Sequence, residues 1–516
     1  MAMTRPSTSS ASRRQELHAL KIVADNTPDP YGQLAAKMES LQLRIPPQKM
    51  LPPELLVEIF KLCADFPNAT ALPPKPDDVL LVLTNVCSTW RSIVVSISEL
   101  WSAVAVSLTQ GSDIQVDNVA VRVGDWLARA MNTTLSLAID CSRELAAVAD
   151  VNPILTSSLS ALIASIVLQN TSRIKFLRLV FPPSCLSALF DVPAGGFPEL
   201  QSFEIGPHIF DSDLEFSEAP NWQWRRATPG FTSAERLSRA VFSPVWPTIT
   251  NLPQVIDQIY NSDGNSESEF SVAYVAFHAA GVELPWRNLR SLEFVCTMCS
   301  TDVWLNIFPQ CPLLEICHIG VRPGPEPPAR ATESLPVQIR LENLDYIYLV
   351  SAGSGGDTLL ASLVAPNLQR CGLQGQISTR ALFAFQTRSG FALRVLVTVL
   401  HIATLDVYPL LEYFPTLNSL GFCVAATEHF PPDIWARIAR RELLPELLCL
   451  MLTPRVEQVA AVATAIEENW KRAVGAGTAY LGVKFVSVPP DDVPLLEEAL
   501  APLARYEAFG MQVEFC

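Results

Sequence analysis

Residues 344–349 read Leu344-Asp345-Tyr346-Ile347-Tyr348-Leu349. Apolar residues at the first, fourth and sixth places, with period-two alternation at the end, describe a short strand with one buried face. The same unit recurs as Leu200/Phe203/Ile205, Leu289/Leu292/Phe294, Leu314/Cys317/Ile319, Leu368/Cys371/Leu373, Leu417/Leu420/Phe422 and Leu447/Leu450/Leu452. Weaker copies are Ile174/Leu177/Leu179 and Leu393/Leu396/Thr398. From Leu289 onward the first positions lie 25, 30, 24, 25, 24 and 30 residues apart. Six intervals in so narrow a range are a repeat, not chance.

Helix-length segments with capping residues separate the strands. Asp357 precedes Thr358–Val364, Thr379 precedes Arg380–Gln386, and Thr404 precedes Leu405–Phe414. One strand and one helix per turn resembles leucine-rich repeats. That resemblance implies an α/β fold, an irregular leucine-rich-repeat solenoid whose curved parallel sheet is backed by helices. The Asn that the family carries after the last strand Leu is missing. Its places hold Thr297, Arg322, Ala352, Gln376, Ala425 and Arg455, so the backbone there must be closed in another way.

Working outward, helices Val116–Met131 and Ile154–Val167 precede strands at Leu135–Ile139 and Ile174. The solenoid is therefore expected over 106–455. Residues 207–283 break the period and read as an insertion, with Trp222, Trp224, Trp246 and a polar run Asn261–Glu269. Leu237–Phe242 inside it looks like a distorted repeat, and the rest reads as a spacer sooner than as a binding loop. Residues 456–516, with helices Val456–Val474 and Asp492–Tyr506 and strands Tyr480–Val486 and Met511–Phe515, read as a capping repeat that shields the end of the stack.

Before the repeats lies a different pattern. Leu51-Pro52-Pro53-Glu54-Leu55-Leu56-Val57-Glu58-Ile59-Phe60 puts proline at a helix start, where its missing N–H is harmless. Leu55, Ile59 and Leu62 share one face, with Leu56, Phe60 and Cys63 beside it. A Pro-rich loop, Asp65–Pro76, leads to a second helix from Asp77-Asp78 and a third through Cys87–Val94. Leu51, Pro52, Glu54, Leu55 and Leu56, followed by Val86, Cys87, Trp90, Arg91 and Leu100-Trp101, resemble the F-box in its fungal (basidiomycete-type) form, over about 45–105. The resemblance implies a three-helix domain that docks a Skp-type adaptor, and through it a cullin, by Leu51, Pro52, Leu55, Ile59, Val86, Trp90 and Ile93. About fifty residues cannot bury much surface alone, so an apolar ridge there needs a partner.

The chain has 516 residues, 37 basic and 52 acidic, for a net charge of −15. Mean hydropathy is +0.24, and the charged share is 17% against about 25% in ordinary domains. That excludes a largely disordered chain. Nucleic acid is not expected as a partner, because phosphate contacts need a basic face. No apolar run of 18 residues lacks a charge, so no membrane span is expected. Residues 1–44 read as weakly ordered, apart from a short helix over Leu34–Leu43. The Ser/Thr/Arg-rich beginning, Met1–Arg14, reads as a disordered tail sooner than as a transit peptide.

Catalytic patterns are not found. The 12 cysteines read as reduced core thiols of a cytoplasmic or nuclear protein. Cys296-x-x-Cys299 with Cys311, Cys317 and His318 is too irregular for zinc, since Cys317 falls on a repeat core position. Gly353-Ser354-Gly355-Gly356 could bare amides to an anion, but a tight strand-to-helix turn explains it. No cofactor and no enzyme activity is expected. The resemblances together imply a substrate-receptor subunit of an SCF-type cullin–RING ubiquitin ligase, with an unknown protein target on the strand face. Arg290, Glu293, Glu315, Tyr346, Tyr348, Gln369 and Asn418 are the candidate target-facing residues. The rival reading is a repeat scaffold that never joins a ligase.

Overall fold

The computed structural model describes residues 51–64, 70–109, 116–207, 228–242, 283–323, 338–400, 407–422, 432–452, 462–468, 470–471, 481–485 and 511–515, with single positions at 494, 498, 500, 501 and 503. The expected segment 1–44 and its helix Leu34–Leu43 lie outside them, as do the tryptophans at 222, 224 and 246. The chain divides into two compact units, one of residues 1–68 and 75–100, the other of 69–74 and 101–516.

The first unit is helical. Its helices are α1 (Pro53–Cys63), α2 (Val79–Val86) and α3 (Ser88–Ser96). Pro52 caps α1, and its carbonyl accepts from the Leu55 and Leu56 amides at 3.1 and 3.2 Å. Asp78 Oδ1 caps α2 by accepting from the Leu80 amide at 2.9 Å.

The second unit is a parallel sheet. Its strands are β1 (Thr70–Leu72), β2 (Ala103–Leu108), β3 (Leu135–Cys141), β4 (Ile174–Phe181), β5 (Ser202–Pro207) and β6 (Arg239–Phe242). They continue as β7 (Ser291–Ser300), β8 (Ile316–Arg322), β9 (Ile339–Arg340), β10 (Tyr346–Ser351), β11 (Leu363–Val364) and β12 (Arg370–Gly375). The last are β13 (Val395–Leu400), β14 (Ser419–Phe422), β15 (Cys449–Leu452), β16 (Leu481–Phe485) and β17 (Met511–Phe515). Fifteen of them form one sheet in sequence order, while β9 and β11 pair separately. Parallel neighbours need a crossover each time, and among the described connections helices such as Thr301–Ile307, Gly355–Ser362, Thr379–Ser389, Val407–Tyr413 and Pro432–Ala439 supply it.

Register is what turns the repeat into a core. Leu292, Cys317, Ile347, Cys371, Leu396 and Leu420 face one another strand by strand and continue to Leu450. All are buried. Each such side chain contributes roughly 1.5–3 kcal/mol by burial, so one turn's set outweighs any surface contact. The weak copy holds too: buried Thr398 donates its hydroxyl to the Gly421 carbonyl at 3.4 Å.

A polar ladder exists, but at the other end of the strands from where the family's Asn would place it. Asn288, Asn343 and Asn367 each stand one residue before a repeat's first Leu. Their amides donate to the Glu235, Pro312 and Glu342 carbonyls of the preceding turn at 2.9, 2.9 and 2.7 Å. Past the strands, the Ala352 and Gln376 amides donate directly to the Val321 and Ser351 carbonyls.

Several expectations need correction. The Pro-rich loop Asp65–Pro76 contains β1, which pairs with β2 in the sheet. An unforeseen helix, Arg143–Val151, follows β3. Within the expected insertion 207–283, the distorted repeat expected at Leu237–Phe242 is indeed a turn of the sheet, with β6 between β5 and β7; it begins earlier than expected, at the short helix Pro229–Thr232, with Phe231 buried beside Leu237 and Phe242. Ser378, not Thr379, caps the helix Thr379–Ser389, and Ser354 precedes the helix Gly355–Ser362, leaving Asp357 in its first turn. There Asp357 accepts from the Ser378 amide and hydroxyl at 2.9 and 2.7 Å, tying two turns together. Pro153–Arg173 is long and apolar enough to cross a membrane, against expectation. In the fold its Leu159, Leu162, Ile163 and Ile166 are buried in the sheet unit.

If the Asn ladder ties the turns, Asn343→Ala and Asn367→Ala each lose about 0.5–1.5 kcal/mol in urea unfolding. Asn418→Ala, whose side chain bonds nothing among the described residues, stays near wild type. Equal losses at all three positions refute the ladder's role.

Candidate functional site

Two surfaces stand out. On α1 the i, i+4, i+7 spacing turns Leu55, Ile59 and Leu62 outward, while Leu56 and Phe60 turn inward. Leu62 is 81% exposed and Leu55 51%, whereas Phe60 is wholly buried. Leu51 and Pro52 continue the exposed stripe. On α2, Val79, Val82 and Val86 are exposed, and on α3 so is Val95. So many exposed large aliphatics in so small a unit mark an interaction surface.

The Val-Cys-x-x-Trp-Arg stretch is mainly what holds this surface in place. Cys87 Sγ accepts from the Trp90 amide at 3.5 Å and caps α3. The half-buried Trp90 ring lies 4.8 Å from Phe60. Arg91 Nε donates to the Thr84 carbonyl at 2.9 Å, joining α3 to the end of α2. Of the seven expected adaptor contacts, Leu51, Pro52, Leu55, Ile59 and Val86 are exposed, and Trp90 and Ile93 are half-buried. The spacing had shown Leu62 on the stripe but did not single it out, and it missed Val79, Val82 and Val95.

The second surface is the open face of the sheet. Its N-terminal half is knitted by ion pairs. Arg178 meets Asp140 and Glu204 at 3.2 and 3.1 Å, and Arg239 meets Glu293 at 3.1 Å. Ser291 donates to the same Glu293 at 3.0 Å, and Arg290 pairs with Glu315. Further along, Arg370 Nε donates to Asp345 at 2.8 Å and its guanidinium lies 5.1 Å from the Tyr346 ring centre. His318 and Tyr348 touch ring to ring at 4.4 Å, and the Tyr348 hydroxyl donates to Gln374 at 3.1 Å. Burial holds His318 below its ordinary range, against a smaller opposing pull from Glu293. Burial also raises the Tyr346 phenol.

The candidate target-facing residues thus divide. Arg290, Glu293 and Glu315 are spent on pairs within the face. Tyr346 and Tyr348 are half-buried and lie against neighbouring side chains. Gln369 and Asn418 carry no side-chain bond among the described residues, and Arg394 stands between them in the strand order. Arg394 follows the first Leu of the weak copy, the same place that Gln369 and Asn418 hold in theirs, so the repeat frame could have found it.

The fold buries part of the cysteine group and brings Cys311 near Cys317. β7 shifts register between Glu293 and Met298, and Cys299, Cys311 and Cys317 are buried. Burial drives the Cys311 thiol up to about 12 and the Cys317 thiol well above its ordinary value. Cys141 and Cys371 are likewise pushed up to about 12 by burial. In the glycine turn, the Gly356 amide donates to Ser351 Oγ at 2.9 Å, so that amide is taken.

Residues 49–107 match the family described as F-box-like. No curated protein matches the chain. The chain carries an F-box-like domain, and the exposed stripe of α1 lies within it.

Two outcomes follow. Phe60→Ala removes about 3–5 kcal/mol, seen as faster hydrogen exchange over 53–96, while Leu55→Asp leaves exchange there unchanged; the reverse order refutes the division into core and surface. The thiols set a pH limit. Unfolded thiols ionise near 9 and the buried ones near 12, so the unfolded chain releases protons first. Stability is whole below pH 9 and falls as pH rises toward 12; a flat urea midpoint over that window contradicts this.

Proposed function

We propose that this chain is a substrate-receptor subunit of an SCF-type cullin–RING ubiquitin ligase. The observation that carries the reading is the F-box-like match together with the exposed aliphatic stripe inside it. In this reading Leu51, Pro52, Leu55, Ile59 and Val86 dock a Skp-type adaptor, and the adaptor brings the cullin. Leu62, Val82 and Val95 extend the docking surface.

The sheet unit is the target-holding part. We read its repeats as irregular leucine-rich repeats of the kind found in fungal F-box proteins, stacked as a solenoid. A sequence-ordered parallel sheet with an in-register apolar column supports that reading. Such a receptor carries no chemistry of its own. It raises the local concentration of a target beside the conjugating machinery, the gain that linked binding sites supply. The reading places the protein in the cytoplasm or nucleus, where free thiols persist; the nine cysteines described are all free.

Purified chain is expected to capture a recombinant Skp-type adaptor, and Leu55→Asp with Ile59→Asp is expected to abolish capture. Truncating Leu55 alone to Ala costs about 2–4 kcal/mol of binding, read by calorimetry. Failure of the intact, folded chain to bind adaptor leaves the scaffold reading in its place.

A further inference from the structure

Four arginines of the open face, Arg178, Arg239, Arg290 and Arg370, are each matched by a carboxylate of that face. Arg394 is exposed and breaks the pattern. Its strand neighbours at the same place are Gln369 and Asn418, whose carbonyl and amide join it to the ladder: the Arg394 amide donates to Gln369 O at 2.8 Å, and the Asn418 amide to Arg394 O at 2.8 Å. Neighbouring strands lie about 4.8 Å apart, so the three side chains start within about 10 Å of one another. None has a side-chain partner among the described residues.

The floor beside this trio is uncharged and mostly apolar. From β12 to β15 the open-face positions hold Gly372, Gln374, Val395, Val397, Ser419, Gly421, Cys449 and Met451, with Gln374 taken by the Tyr348 hydroxyl and Arg370 at the near edge already paired to Asp345. No carboxylate occupies these positions. Tyr348 lies flat across Gly372, where any Cβ would collide with its ring, and so widens the apolar tract. Gly421 is covered in the same manner by Met451 and Val397. A cation with no acid paired to it among the described residues, beside two carboxamides at the border of an uncharged floor, selects a negative partner at that spot: a carboxylate can take the guanidinium fork and accept N–H donors from Gln369 and Asn418.

Resting on the receptor reading above, we propose that the open face of β12–β14 binds an extended target segment bearing a carboxylate next to an aromatic or branched aliphatic side chain. Arg394, with Gln369 and Asn418, takes the carboxylate; Val395, Val397 and the Tyr348 ring take the apolar neighbour. A basic segment is disfavoured there, because it would bring a cation against Arg394 with no acid to relieve it.

The test is selection of a random peptide library displayed on phage against the immobilised full-length chain. Peptides with Asp or Glu adjacent to an apolar residue are expected to enrich. Resynthesised, they are expected to bind R394E roughly tenfold or more weakly, and V397E weakly too, while R394E unfolds at the wild-type temperature. Enrichment without acidic residues, affinity indifferent to R394E, or no enrichment at all overturns the proposal. Adaptor capture is measured on the same samples. If capture fails while acidic peptides still depend on Arg394, the ligase reading falls and this site stands; if capture succeeds and peptides ignore R394E, the reverse holds.

Discussion

One backbone contact recurs down the sheet and the rest of that unit follows from it. The carbonyl just after each repeat's first Leu accepts from two consecutive amides of the next strand. Gln201, Ser238, Arg290, Glu315, Asp345, Gln369, Arg394 and Asn418 all do this, at 2.7–3.1 Å. The contact holds register at the start of every strand. A slip of one residue would turn each buried side chain outward, so eight such contacts keep Leu292, Cys317, Ile347 and their successors in one buried column.

Because register is held, the open face is also an ordered array. Residues two and four places after the first Leu form rows across the strands. In one part those rows place Arg178 beside Glu204, and set Arg239 beside Ser291 and diagonal to Glu293, which it reaches. In another they place Val397 beside Gly372 and Gly421. Exposed ion pairs are worth little singly, so their main effect is to neutralise the part of the face they occupy. What they leave over is the chemically distinct tract around Arg394. The helical unit uses leucine in two opposite ways: Leu56 builds its small core with Phe60, while Leu55 just before it and Leu62 further along the same helix are turned to solvent.

Much of this was legible in the chain. Strand positions from Leu200 to Leu447 follow from the period of Leu-x-x-apolar-x-apolar, because burial on one face demands it. The helical unit was legible from Pro at the start of α1 and the Val-Cys-x-x-Trp-Arg stretch. Legibility failed where the signal was short or shared. β1 is three residues in a Pro-rich loop, too brief for alternation to show. β6 stands off the regular period, so Leu237–Phe242 read only as a distorted repeat and Phe231 before it as part of an insertion. The stretch after Asp150 carries no charge until Arg173, and its Ser and Thr residues disguised its apolar length. Trp90 and the Cys87 thiol read as surface and core marks, yet they serve as a ring contact and a helix cap.

Taken alone, the order of residues settled which positions are apolar, how often they return and where helices can start, since these depend on period and on local capping chemistry. It also settled that an F-box-like segment precedes a repeat. Folding decided which polar side chains meet. Arg290 and Glu315 are 25 residues apart in the chain and adjacent on the sheet, and Asp357 reaches Ser378 only because successive turns stack. Whether a charge is paired or left free is a property of neighbours across strands, and no local pattern along the chain encodes it.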